Sequence, residues 1–193
     1  MDHPAHPPRG LDGVLPAATG AYLAGLPIDM SALAGELGLS RATLYRRVGN
    51  HDNLLGLVLA GLAERTFLQI KAELTEAGTI GVAKVLAGFE RYINTIVKAP
   101  PLLQLIKRDP LLFMRVVMSP GVVEDRLTCL LTDMLDEEVA AGHVRLRLPT
   151  DVLAKAMVRI GDSFMYSHLL AGGEPEARNA VMVVTMMLTS ATG

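Results

Sequence analysis

Apolar residues recur at helical spacing along most of the chain, and strand-like alternation is confined to one short segment. Apolar positions three and four apart place one continuous stripe on a helix. The alternating run at 144–148 (VRLRL) is so short that we expect a loop there. Glycine and proline separate the successive periodic runs, as they do between helices. The pattern therefore predicts an all-α protein.

Three short helices are predicted at the start of the chain. The first lies between residues 10 and 26, and Pro16 within it indicates a kink or a later start. The second ends at Gly38, and Ser40 is placed to cap a third helix over 41–48. Two helices joined by a short turn that contains glycine form a helix-turn-helix. The chain is therefore expected to begin with a small three-helix head.

A long amphipathic run follows the head, from Asp52 to Gly78, and its length of about 25 residues suits a helix that joins the head to the remainder. Six further helices are expected beyond it, at 80–98, 101–108, 110–118, 121–141, 149–171 and 175–189. Proline or glycine lies at or near their ends. The pattern divides the chain into a disordered tail at 1–9, a helix-turn-helix head at 10–51 and a larger helical domain at 52–193.

Composition limits the cellular compartment in which the protein is expected and the classes of partner that it is expected to bind. Half of the residues are hydrophobic but only 4% are aromatic, a mixture that favours packed helices. The net charge of −2 gives no global sign of a polyanionic partner, so such a partner must be recognised from local clusters. Cys129 is the single cysteine, which excludes an intramolecular disulfide. No uncharged stretch reaches the roughly 20 apolar residues of a membrane span. We therefore expect a cytoplasmic protein without a membrane partner.

Motifs that would indicate an enzyme are absent from the sequence. It contains no GxxxxGK, HExxH or GxSxG pattern. Its five histidines are scattered, and no metal-ligand spacing connects them. The sequence therefore predicts no catalytic residues, no metal site and no cofactor.

The third helix carries side chains that can donate hydrogen bonds to phosphates and guanine edges, namely Arg41, Thr43, Tyr45, Arg46 and Arg47. A charged helix face by itself is more often a merely solvated surface. Residues 1–55 also hold four basic and five acidic residues, so the head as a whole is slightly acidic. If this helix binds DNA, we expect the affinity to be modest and strongly dependent on salt.

The segment LGLSRATLYRRVGNHDNLL closely resembles the helix-turn-helix motif of the TetR family of transcriptional regulators. The matching positions are Gly38, Leu39, Ser40, Thr43, Leu44, Tyr45, Val48, His51 and Leu54. In the far half, FMRVVMSP (113–120) and VRIGDSFMYSHLLAGGEP (158–175) resemble a QsdR-like branch of that family. His51 stands where the family often has lysine, so a phosphate contact there would be weaker and dependent on pH.

The resemblance implies a homodimer with two DNA-binding heads that read a palindromic operator. By analogy, Thr43 and Tyr45 would hold phosphates, and Arg41 and Arg46 would contact bases. The full set of implied DNA-binding residues is Ser40, Arg41, Thr43, Tyr45, Arg46, Arg47 and His51. The last helix independently suggests a dimer, because it would be too apolar to leave exposed at Ala180, Val181, Val184, Met187 and Leu188.

The resemblance also implies a small-molecule pocket enclosed by the C-terminal helices. The candidate ligand-binding residues are Phe89, Tyr92, Phe113, Met114, Val117, Asp162, Phe164, Tyr166 and His168. Each of them could equally pack in the hydrophobic core without contacting a ligand. Asp162 and Tyr166 lie four residues apart on one helical face and could hold a ligand's polar end. Alternatively, they are structural, with Arg159 paired to Asp162, or they lie at the dimer interface.

Together these features predict a ligand-responsive DNA-binding transcriptional regulator, a repressor released from its operator by a small apolar or amphipathic molecule. One alternative is a helical dimeric protein-interaction module whose pocket is filled core. Another is a constitutive DNA-binder without an effector.

Overall fold

The structure, a computed structural model, describes residues 11–166, 169 and 174–192. The described helices, in chain order, are α1 (Val14–Leu23), α2 (Met30–Glu36), α3 (Arg41–Val48), α4 (His51–Glu76), α5 (Gly81–Ile96), α6 (Pro100–Arg108), α7 (Pro110–Val117), α8 (Val122–Ala140), α9 (Thr150–Tyr166) and α10 (Ala177–Ala191). No strand occurs in these residues, and Leu146 and Thr192 meet in one isolated antiparallel bridge. The predicted all-α fold is confirmed, with a loop at 144–148.

Side-chain caps begin three of the first four helices. Asp29 Oδ1 accepts hydrogen bonds from main-chain amides in the first turn of α2, at 2.7 and 3.0 Å. Ser40 Oγ accepts one from the Thr43 amide at 3.1 Å, as its position before the third helix predicts. Asn50 caps α4 in the same way. Between α2 and α3, Gly38 has a φ of 64°, a left-handed conformation that glycine adopts without strain. The cap and the turn together fix the direction of α3.

The first helix starts later than residue 10. It begins at Val14, so that Pro16 is its third residue. A proline in the first turn costs no helical hydrogen bond, because the amides there have no partner within the helix. Of the two expectations for Pro16, the later start is therefore the one observed.

The 26 residues of α4 give it a length of about 39 Å, and it connects the head to the remainder of the molecule. It packs against α1 and α3 of the head and against α5, α7 and α8 of the larger domain. Buried apolar residues form one continuous cluster from the head to α10. Because this cluster is continuous, a displacement in the larger domain can reach the head through packed side chains. No described helix is both long and apolar enough to cross a membrane.

A buried ionic cluster fastens the start of α5 to the end of α8. Glu138, which is only 3% exposed, accepts hydrogen bonds from the Gly81 amide at 2.6 Å and from Lys84 Nζ at 2.8 Å. His143 Nδ1 lies 2.8 Å from the same carboxylate. Burial by itself would raise the pKa of Glu138, but the hydrogen bonds from Lys84, Gly81 and His143 outweigh it and lower the pKa to about 2. The carboxylate is therefore ionised and fully engaged near neutral pH.

Candidate DNA-binding surface and effector cavity

The third helix has one face in the core of the head and one in solvent. Leu44 and Val48 are buried, at 0% and 1% exposure. On the opposite side, the side chains of Arg41, Tyr45, Arg46 and Arg47 are exposed. None of these four makes a side-chain hydrogen bond or ion pair within the described part of the chain. Three guanidinium groups and a phenol therefore project from α3 and are available to an external partner.

Ser40 and Thr43 have a local role as well. The Ser40 hydroxyl accepts a hydrogen bond from the Thr43 amide, and the hydroxyl oxygens of Ser40 and Thr43 are 2.9 Å apart. Both groups lie at the amino end of α3, where unpaired amides favour an anionic partner. Ser40 is exposed and Thr43 is half-buried. Their contact with DNA stays a prediction, and the structure shows that they also hold the start of the helix in place.

His51, another predicted DNA contact, is the first residue of α4 and has a half-buried side chain. Its Nδ1 is 3.4 Å from Asp52 Oδ1, and Asp52 also accepts a hydrogen bond from Arg115 Nε at 3.1 Å. His51 further lines a surface cleft with Arg108 and Leu105 of α6. The structure therefore places this histidine beside α6 and α7 as well as beside the end of α3. Its contact with DNA remains a prediction.

A cavity of about 230 Å³ lies within the helical bundle. It is lined by side chains from α1 and α4 to α9, which are Tyr22, Leu23, Leu59, Leu62, Ala63, Thr66, Tyr92, Thr95, Ile96, Ala99, Pro101, Leu102, Phe113, Val117, Val123, Leu127, Asp162, Met165 and Tyr166. Most of this lining is apolar, with a few hydroxyl groups and one carboxyl group. Concave apolar sites with a few polar groups are the usual binding places for small molecules.

The structure brings together only some of the predicted ligand-binding residues. The cavity wall includes Tyr92, Phe113, Val117, Asp162 and Tyr166. A smaller adjoining cavity of about 30 Å³ is lined by the predicted Phe89, again with Tyr92 and Asp162. Met114 and Phe164 instead pack against the core and line neither cavity. His168 lies outside the described residues.

The sequence did not indicate that the head itself contributes to the cavity. Tyr22 and Leu23, at the end of α1, both lie in its wall. Burial raises the pKa of Tyr22 to about 12, and the charge of Arg108 opposes the rise only in part. A tyrosine on the apolar face of a head helix is the only sequence signal that could have suggested this. The signal is weak, because such a residue more often fills the core.

Asp162 is the polar group that distinguishes the cavity wall. Burial, and then the charge of Glu124, raise its pKa to about 7, and Arg159 counteracts them only in part. Among the described residues, no side chain donates a hydrogen bond to Asp162. Burial also raises the pKa of Tyr92 and of Tyr166. The cavity therefore holds a carboxyl group beside neutral phenols in a poorly hydrated setting.

The possible ion pair between Arg159 and Asp162 is not formed. Arg159 instead donates two hydrogen bonds to Glu124 of α8, from Nε at 2.7 Å and from Nη2 at 3.0 Å. Glu124 is buried, and a bidentate pair with a guanidinium satisfies both of its oxygens. The local spacing on α9 was misleading because a tertiary partner offered the better geometry. Asp162 is consequently left facing the cavity.

Two polar contacts join helices that line the cavity to the head and to the first turn of α4, which follows the head directly. Arg108, the last residue of α6, donates a hydrogen bond from Nη1 to the Gly25 carbonyl at 3.0 Å. Arg115 of α7 donates to Asp52 at the start of α4. Since α6 and α7 both contribute to the cavity wall, the first contact joins that wall to the head and the second joins it to the start of α4.

A family model described as Tetracyclin repressor-like, C-terminal domain, matches residues 80–189, which is more than half of the chain. The structure of the transcriptional repressor QsdR of R. erythropolis, from the TetR family, has 35% sequence identity to this chain and a TM-score of 0.88. The match covers 94% of this chain and 96% of that one. This chain belongs to the TetR family. It is thus a DNA-binding transcriptional regulator, and α2 and α3 form its helix-turn-helix.

Two more distant structures share the TetR fold. The TetR family repressor AlkX from Dietzia sp. strain DQ12-45-1b, implicated in biodegradation of n-alkanes, is 20% identical, with a TM-score of 0.64 over 97% of this chain and 99% of that chain. A structure described as the molecular basis for control of antibiotic production by bacterial hormones is 13% identical, with a TM-score of 0.57 over the same shares. No curated protein matches the chain significantly.

The last helix of this TetR-family chain exposes apolar residues, although not the expected ones. Ala180, Val184 and Leu188 are at most 1% exposed, because they pack inside the chain itself. Met182, Val183 and Met186, on the other side of α10, are 55%, 37% and 66% exposed. An apolar last helix was expected, but three of the five residues named for it face the chain's own core, and the other two, Val181 and Met187, are half-buried.

Proposed function

We propose that this TetR-family protein is a repressor that binds operator DNA as a homodimer and releases it when a small apolar or amphipathic molecule fills the cavity. The observation that carries the proposal is that head and effector helices line one cavity together. A molecule there would touch Tyr22 and Leu23 of the head directly. The repressing sign is supported by the similarity to QsdR, which is described as a transcriptional repressor.

The DNA-binding half of the proposal rests on the exposed face of α3. The amino-terminal part of a recognition helix approaches base edges in the major groove, which suits Arg41 as a base contact and Arg46 as a second. Thr43 and Tyr45 would bind phosphates that fix the orientation of the head. Further DNA contacts are proposed for Ser40, Arg47 and His51.

The dimer half of the proposal rests on the apolar surface formed by Met182, Val183 and Met186 of α10 with Val152 of α9, which is 50% exposed. We call it the α9–α10 face. Exposed apolar side chains grouped on two neighbouring helices in this way favour association with another molecule. A twofold dimer built on it would present two copies of α3 to the two halves of a palindromic operator.

Release would occur by a population shift. A ligand lowers DNA affinity only if it binds better to the arrangement of the heads that does not fit the operator. Occupancy can alter that arrangement by two routes. One is direct contact with Tyr22, and the other is displacement of α6, whose Arg108 holds the Gly25 carbonyl. The long α4, which also lines the cavity, would carry the change along its length.

Loss of the exposed α3 donors is expected to abolish selective DNA binding. Genomic fragments retained by the wild type should share a palindromic motif when sequenced, and Arg41→Ala/Thr43→Ala/Tyr45→Phe should retain none selectively. Affinity for the recovered motif should fall as salt rises, with a log–log slope of about −0.9 for each phosphate neutralised. A matched control is Arg145→Ala, which removes an exposed arginine in the loop before α9. Equal retention by the triple variant, or a flat salt response, would favour a protein-interaction module instead.

A further inference from the structure

The cavity wall contains no basic side chain among its described residues. Its ionisable groups are Asp162 and the phenols of Tyr22, Tyr92 and Tyr166. The nearby arginines are committed elsewhere, since Arg159 forms its bidentate pair with Glu124 and Arg108 bonds to a carbonyl of the head. An anionic ligand group would therefore meet the Asp162 carboxyl group in an apolar cavity, and no described side chain of the wall offers a cation to compensate it.

The same wall suits an uncharged polar group. A hydroxyl or amide N–H can donate a hydrogen bond to the Asp162 carboxyl whether that group is ionised or protonated. Tyr92 and Tyr166 lie in the same wall, and their rings are held edge-on by Phe67 and Phe113, with centroid separations of 6.1 and 4.8 Å. The remainder of the wall is mostly aliphatic and can cover a hydrocarbon portion.

The size of the cavity limits the ligand further. A volume of about 230 Å³ is close to the lower end of the range of about 300–1,000 Å³ that is usual for small-molecule sites. A small or medium-sized molecule would therefore fill it, whereas a long unbranched lipid would have to extend beyond it.

We propose that the effector is an uncharged amphiphile of medium length whose hydroxyl or amide group donates a hydrogen bond to Asp162, and that Asp162 excludes the corresponding carboxylates. This inference rests on the proposed function only in taking the cavity as the effector site. Asp162 is thus a specificity-determining residue that discriminates by charge.

Three probes of equal chain length test the proposal, namely octanol, octanoate and octylamine. Binding to the full-length protein at pH 8 is measured by calorimetry and by the shift in melting temperature, without DNA. We expect octanol to bind at least about tenfold more tightly than octanoate, as a desolvated like-charge contact requires. Octanoate binding as tightly as octanol would overturn the proposal. Tightest binding of octylamine would overturn it as well, because it would indicate a charge pair, and so would a lack of binding by all three.

Asp162→Asn separates this role from a structural one. Its amide keeps a hydrogen-bond acceptor for octanol and adds a donor for octanoate, so the preference for octanol should shrink by about tenfold. Asp136→Asn makes the same charge change at an exposed position of α8 and should leave the preference intact. An unchanged preference in Asp162→Asn would overturn the assignment. These readouts involve no DNA, so their failure would leave the test of the DNA-binding proposal unaffected.

Discussion

Replacing Glu138 with glutamine is expected to lower the free energy of unfolding by about 3–5 kcal/mol. Lys84, which is only 6% exposed, would lose its ionic partner and remain charged in a buried place. The Gly81 amide and His143 would also lose the carboxylate that they share. The loss is measured by urea denaturation of the variant and the wild type at pH 7.

Glu137→Gln is the matched control. Glu137 is the neighbouring residue, and its side chain is 53% exposed and pairs with Lys71 of α4. An exposed pair of this kind contributes about 0–1 kcal/mol. If Glu138→Gln were as mild as Glu137→Gln, the buried cluster would not hold α5 to α8 in the way described.

The Glu138 cluster also predicts how stability depends on pH. The pKa of this carboxyl is lowered in the folded protein to about 2, from an ordinary value near 4.5. The unfolded chain therefore binds its proton first, and the stabilisation is complete above the ordinary value. It is lost as pH falls through that window, and Glu138→Gln should lack this part of the acid sensitivity.

Placing two glutamates on the α9–α10 face is expected to give a monomer that binds the operator at least about 100-fold more weakly. Met182→Glu/Met186→Glu replaces two residues that are 55% and 66% exposed in the single chain and would be covered in the proposed dimer. Two charges in such an interface would lose their hydration without gaining partners. Each head would then bind its half-site alone, without the gain of about 10²–10⁴ that linkage provides.

Mass is measured by sedimentation, and affinity by anisotropy of a labelled operator. The control is Leu103→Glu, which puts the same charge at an exposed apolar position of α6, outside the α9–α10 face, and should remain dimeric. A double variant that stays dimeric would show that the interface lies elsewhere.

The head was predictable from sequence because its signals are local. The Ser40 cap, the Gly38 turn and the apolar positions of α3 depend on neighbours within a few residues, and the structure shows all of them. Resemblance to the TetR family then supplied what no periodicity could, namely the prediction that the exposed side chains of α3 bind DNA.

The structure of the C-terminal helices was less predictable because it depends on which distant helices meet. Spacing on α9 suggested Arg159 as a partner of Asp162, but α8 supplies Glu124. The last helix is apolar on more than one side, so its pattern could not show which side the core covers. Tyr22 reached the cavity only because α1 packs against α4, a tertiary contact without a local signal.

Coupling between the cavity and the head is the central claim, and a titration of labelled operator with and without saturating octanol tests it most directly. The wild type and Lys107→Ala should both lose about tenfold in DNA affinity, within the usual range of coupling between two sites. Arg108→Ala lacks the bond from α6 to the Gly25 carbonyl and should lose clearly less, although octanol still raises its melting temperature. If octanol stabilised the wild type but left its DNA affinity unchanged, the account of ligand-controlled release would be contradicted.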